Sequence, residues 1–197
     1  MGKKHLCLII AGIVLLSTQV FSWDGRRSGF ILGFGLGSGY TTYNYKVEEN
    51  GQKHTTSRES SLGPAYIFKL GYAPEDNFLI FFMDNNTLFT GKDMNGDNIK
   101  TSSDFTGAAV SYYFSDRSPS FYLTGGFGGA SWNNGFFSCK ESEGIGIGLL
   151  FGAGYEFTKH WSGEVNLSYG MPVYSKDNAR VTNKFFSVNA GITLLAF

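Results

Sequence analysis

The sequence predicts an all-β protein: an eight-stranded antiparallel up-and-down transmembrane β-barrel. Three observations predict it. Residues 144–157 read Gly-Ile-Gly-Ile-Gly-Leu-Leu-Phe-Gly-Ala-Gly-Tyr-Glu-Phe, apolar at every second position and mostly glycine between. A strand sends alternate side chains to opposite faces, so one face here is large and greasy and the other small or polar. The same alternation returns about eight times along the chain, which is how a barrel with a lipid-facing outside and a packed or wet inside is written. Finally, no long apolar helix follows residue 22, although Phe, Tyr and Trp make up 17% of the chain. A membrane protein without a spanning helix must close its strands into a barrel, because a sheet edge in lipid leaves N–H and C=O groups unpaired.

The first strand covers about 29–40, with Phe30, Leu32, Phe34, Leu36 and Tyr40 on one face and Ile31 with glycines on the other. The second covers about 62–72, setting Tyr66, Phe68, Leu70 and Tyr72 against Ala65, Ile67, Lys69 and Gly71. The third, about 78–90, starts apolar on both faces, so its period gives no orientation. Its Asp84-Asn85-Asn86 patch suggests lumen contact or a bulge. The fourth (104–114) sets Ala108, Val110, Tyr112 and Phe114 against Gly107, Ala109 and Ser111, and the fifth (121–132) sets Phe121, Leu123 and Phe127 against Thr124 and Gly126. Residues 144–157 form the sixth. The seventh, 161–173, is the cleanest, with Trp161, Val165, Leu167 and Tyr169 opposite Ser162, Glu164, Asn166 and Ser168. The eighth, 184–197, places Phe186, Val188, Ile192 and Leu194 opposite Ser187, Asn189 and Thr193.

Connections alternate in length. Those at 73–77, 115–120 and 158–160 are short, whereas those at about 42–61, 90–103, 133–143 and 174–183 are longer and polar. Short turns on one side and long loops on the other is the outer-membrane pattern, with short turns and both termini on the periplasmic side. Tyr72, Phe78, Tyr112, Phe114, Phe121, Tyr155, Phe157 and Trp161 flank the short turns, where an interfacial aromatic belt belongs.

The N-terminus carries the address. Lys3, Lys4 and His5 precede an apolar run from Leu6 to Leu16. Such a run is too short to span a bilayer and fits a secretory signal cut after Ser22. Residues 1–22 are therefore read as a signal peptide and 23–197 as one barrel domain. Removing Lys3 and Lys4 leaves 14 Lys+Arg against 16 Asp+Glu. That net charge of −2 has no basic stripe and argues against nucleic acid as a partner. Cys139 alone remains, which excludes an internal disulfide.

Ser111-Tyr-Tyr-Phe-Ser-Asp-Arg, Phe151-Gly-Ala-Gly-Tyr-Glu-Phe-Thr and the closing Gly191-Ile-Thr-Leu-Leu-Ala-Phe197 resemble the small eight-stranded outer-membrane β-barrels of the OmpA/OmpX type. The resemblance covers the whole mature chain and specifies architecture, not activity. It implies residence in the outer-membrane lipid, and assembly by the barrel-assembly machinery through a C-terminal strand ending in Phe197. In that family the terminal Phe shares the lipid-facing phase. Here Phe197 is in phase with Asn189 and Thr193. Either a bulge near Leu194-Leu195 shifts it, or the signal departs from the pattern.

Three charges fall on the inward phase near the short turns: Lys69, Glu156 and Glu164. Charges inside a narrow barrel are costly unless paired, so they are expected to form a lumenal ion-pair cluster that plugs the barrel, with an ion-selective constriction as the alternative. Arg26-Arg27 reads as a solvated or headgroup-facing pair. Asp93 to Asn98, with Asp104 at the twelfth position, resembles a calcium loop but lacks its sixth-position Gly. His160 and Ser162 raise a lipid A-modifying hydrolase or transferase, yet they sit at a periplasmic turn. No cofactor or metal is expected, and no enzyme. The expected role is structural, or surface recognition of an extracellular ligand through the long loops. A small conduit for hydrophobic compounds is the remaining membrane alternative. A soluble lipocalin-like carrier would need an exterior of bare glycine.

Overall fold

A computed structural model describes residues 26–49, 52–92, 96–134, 144–176 and 179–197. The signal segment 1–22, Cys139 and Asp93–Asn95 lie outside the described residues. The strands are β1 (Gly29–Glu49), β2 (Gln52–Thr55), β3 (Glu59–Glu75), β4 (Phe78–Lys92), β5 (Asn98–Tyr113), β6 (Ser120–Asn134), β7 (Ile145–Thr158), β8 (Trp161–Lys176) and β9 (Ala179–Ala196). All but β2 form the wall. They run antiparallel in chain order, and β9 pairs back onto β1 from Leu32↔Ala196 to Glu48↔Arg180. β2 folds against Lys46–Glu49 as a hairpin tip.

The registers fix the barrel's width. Directly opposed partners lead from Tyr40 through Val188, Leu167, Phe151, Gly125, Val110, Ile80 and Tyr72 to Phe30, ten residues back along β1. With eight wall strands this stagger gives a tilt of about 40° and a backbone radius of about 8 Å. Such an interior is filled by side chains.

The alternation sorts inside from outside as the sequence anticipates. Ile31, Ile67, Phe105, Ala109 and Leu150 are buried inward, while Phe34, Leu36, Phe127, Leu149, Val165 and Ile192 stay exposed on the outer face. Tyr72, Tyr112, Phe114, Phe121, Tyr155, Phe157 and Trp161 ring the short-turn end and are exposed. Two of these contacts are direct, Phe121–Tyr155 at 4.5 Å and Tyr112–Phe114 at 5.8 Å between centroids.

One expectation needs correction and two alternatives are decided. Strands outrun the apolar segments: β1 continues to Glu49 and β9 begins at Ala179. The backbone ladder closes whether side chains meet lipid or water, and beyond the apolar segments the apolar residues, among them Tyr43, Tyr45 and Val181, turn inward. The Asp84-Asn85-Asn86 patch is not a bulge, because β4 keeps an unbroken register with β5 from Phe78↔Tyr112 to Lys92↔Asn98. Only Asn85 shares the inward phase of Leu79, Phe81 and Met83; Asp84 and Asn86 share the outward phase of Ile80 and Phe82. Lastly, no bulge interrupts the β1–β9 register up to Ala196. Phe197 therefore follows Leu195 inward, 4% exposed, and its ring lies 4.4 Å from that of His160.

Candidate functional site: a sealed lumen

At the short-turn end Arg27 sits immediately before β1, and it is 1% exposed rather than solvated. Gly29, at φ +120°, lets the chain turn there into the barrel mouth. The Arg27 guanidinium donates to both carboxylate oxygens of Glu156 on β7, at 2.9 and 3.1 Å. Its remaining reach goes to the carbonyls of Asp76 and Ser115, both at 2.9 Å, so one side chain ties two short turns together. It also lies 4.2 Å over the Tyr113 ring, a favourable placement for a cation.

Further in, Lys69 on β3 donates to both oxygens of Glu164 on β8, at 3.0 and 2.7 Å. Glu164 also accepts from Thr193 and, at 3.2 Å, from Tyr122. Tyr122 stacks on Tyr113 with centroids 4.6 Å apart. The two ion pairs are thus joined through two stacked rings. A Cβ at Gly154 would come 2.2 Å from the Tyr122 ring, so glycine there makes room for the stack.

The expected three-charge cluster is therefore divided: Lys69 and Glu164 meet each other, while Glu156 meets Arg27. The sequence reading took Arg27 as solvated or headgroup-facing and did not place Tyr113 and Tyr122 in the lumen. Carrying the inward phase of Ile31 back across Gly29 reaches Arg27, and the tyrosines lie on the inward phase of β5 and β6.

Above the ion pairs the lumen sets polar groups beside buried Ile67, Phe105 and Leu150. Thr41, Ser103 and Ser187 form a hydroxyl triangle with sides of 2.8 to 3.1 Å. Asn189 accepts from Thr87 at 2.7 Å and donates to Asn85 at 3.1 Å. Toward the long loops an aromatic layer crosses the barrel. Trp132 lies 4.9 Å from Tyr43, 5.5 Å from Phe89 and 6.1 Å from Tyr45 and from Phe185. Beyond it, Lys46 and Lys53 flank Glu48 on the hairpin; the Lys46 hydrogen bond, first, holds that carboxyl below the usual carboxylate range.

His160 and Ser162 face the same interior. The His160 Nδ1 lies 2.9 Å from the Leu195 carbonyl, and the Ser162 hydroxyl lies 3.2 Å from that of Tyr122. Asp104 stands on β5 with its side chain outward, not in a loop. Among the described residues no three His, Cys, Asp or Glu side chains cluster to hold a metal.

No protein-family model and no curated protein matches the sequence. Solved structures do match. OprG from Pseudomonas aeruginosa is 14% identical with a TM-score of 0.51, over 87% of this chain and 98% of that one. Ail, the attachment invasion locus protein of Yersinia pestis, is 12% identical with a TM-score of 0.43, over 83% and 99%. The outer membrane protease OmpT from Escherichia coli is 12% identical with a TM-score of 0.42, over 90% and 98%. With the closed ring of eight strands, the likeness to OprG identifies this chain as having the fold of the small outer-membrane β-barrels.

Proposed function

We propose that this protein is an integral outer-membrane barrel with a closed lumen, whose role is structural or surface recognition rather than wide transport or catalysis. The observation that supports this best is the double closure, by ion pairs and stacked tyrosines at one end and by an aromatic layer at the other. The short turns then face the periplasm, and the loops within 42–61, 90–103, 133–143 and 174–183 face outward. A rigid scaffold that presents loops is where binding residues sit. The rival lipid A-modifying enzyme finds little support, since His160 and Ser162 point into the interior near the periplasmic turns, away from outer-leaflet lipid.

Planar-bilayer recording tests the closure. The refolded wild type is expected to give no discrete conductance steps; regular steps would overturn the sealed reading and promote the small-channel alternative.

Assembly through the C-terminal strand belongs to the same reading, with outer-membrane lipid and the barrel-assembly machinery as partners and Phe197 as the signal. Deleting Phe197 should reduce the membrane-inserted fraction in cells several-fold while the protein still refolds in detergent micelles. Normal insertion in cells would remove Phe197 from that role.

A further inference from the structure

The outer wall carries an anomaly that the closed lumen does not explain. On β4–β6 the lipid-facing phase turns from apolar to polar partway up the barrel. Ile80 and Phe82 are followed by Asp84 and Asn86; Val110 and Ala108 are followed by Thr106 and Asp104. On β7 the same phase stays apolar from Phe157 to Ile145. With the tilt above, Asp84 stands roughly 15 Å and Asp104 roughly 25 Å above the Phe30 level. An apolar band is about 25 Å tall, so the acids run from inside the outer half of that band to its rim. Ionisable groups at such depth mark a site whose partner needs naming.

The side chains converge. Asn86 stands directly opposite Asp104 and Asp84 opposite Thr106, all on the outward phase. One oxygen of Asp104, Oδ2, accepts from Thr106 at 3.1 Å and Ser131 at 3.3 Å. Three further oxygens, Asp84 Oδ1, Asn86 Oδ1 and Asp104 Oδ1, are buried without a hydrogen-bond partner. Asn86 is only 5% exposed although it faces outward. A buried acceptor left unmatched is costly, and two adjoining carboxylates repel. The set is made of acceptor oxygens, two of its three side chains are carboxylates, and Ser131 stands directly opposite Asp104.

We propose that Asp84, Asn86 and Asp104 bind a divalent cation of the hard, oxygen-seeking kind, calcium above all, on the outer wall of the barrel. Calcium takes carboxylate, amide and hydroxyl oxygens in flexible geometry. Its two positive charges neutralise the two carboxylates, which suits a surface facing lipid. Only two acids are needed because the amide and the hydroxyls supply the other oxygens.

The test uses the refolded full barrel, stripped with chelator and titrated with calcium, with magnesium as a second arm, by calorimetry and by the temperature at which the compact unboiled gel band is lost. One calcium per barrel is expected, with a rise of several degrees. Asp84→Asn and Asp104→Asn should each weaken calcium binding at least tenfold, while a double Asp93→Asn, Asp97→Asn variant in the adjoining loop binds normally. Terbium luminescence provides a readout independent of stability. Tyr66 lies directly opposite Asn86, so Tyr66→Phe should lower the sensitised emission. No response at millimolar calcium, retained binding in both wall variants, loss in the loop variant, or emission indifferent to Tyr66 would each overturn the site.

Discussion

Lys69→Met should lower the stability of the refolded barrel by about 3–5 kcal/mol, the range for breaking a buried ion pair from one side. The loss comes less from the missing attraction than from what stays behind. Glu164 is 3% exposed, and without Lys69 its carboxylate keeps Thr193 and Tyr122 as donors but no positive charge. Adding Glu164→Leu removes the orphan, and the double variant should recover most of the loss, since an apolar pair can replace a buried ion pair at little or no cost. Urea unfolding in lipid vesicles, followed by loss of the fast unboiled gel band, measures both. An unchanged midpoint for the single variant would mean that the pair contributes nothing to holding the barrel.

Arg27→Ala should cost a similar amount, and its effect should be spatially distinct. Arg27 holds Glu156 with two bonds and the turns at Asp76 and Ser115 with one each. Removing it orphans a carboxylate, as before, and also frees two turns that the lysine pair does not touch. Hydrogen exchange should therefore quicken at residues 76–77 and 115–117 in Arg27→Ala and stay normal there in Lys69→Met. Arg27→Lys should recover only part of the stability, because an ammonium lacks the planar fork that meets two carboxylate oxygens together. Full recovery with lysine, or exchange unchanged at both turns, would show that the charge alone matters and the tie between turns does not.

Legibility followed the period. Wherever one face met lipid and the other did not, as in β7 and β8, alternation fixed both the strand and its orientation. It failed where that contrast vanished. β4 begins apolar on both faces, so its orientation emerged only from pairing with β3 and β5, and with it the outward placement of Asp84 and Asn86. Beyond the apolar band the outward face is polar and the apolar side chains, such as Tyr43, Tyr45 and Val47, lie inside, so β1 read nine residues short. Lys69, Glu156 and Glu164 were visible as inward charges, but which acid met which base depends on stagger around the ring, a quantity no single strand contains. Arg27 lay just outside β1, so its inward phase had to be carried back from Ile31 across Gly29, and the stacked Tyr113 and Tyr122 meet only because β5 and β6 set them directly opposite one another.

The length of β1 has a mechanical meaning. Its 21 residues rise about 50 Å along the barrel axis at the tilt derived from the registers, roughly twice the apolar height of an outer membrane. The excess is a hydrogen-bonded mast standing in water, braced at its foot by the aromatic layer. Gln52–Thr55, paired to the top of β1, are thereby carried beyond the apolar band. Substitutions in β2 should leave closure untouched, because the aromatic layer and the ion pairs both lie beneath it.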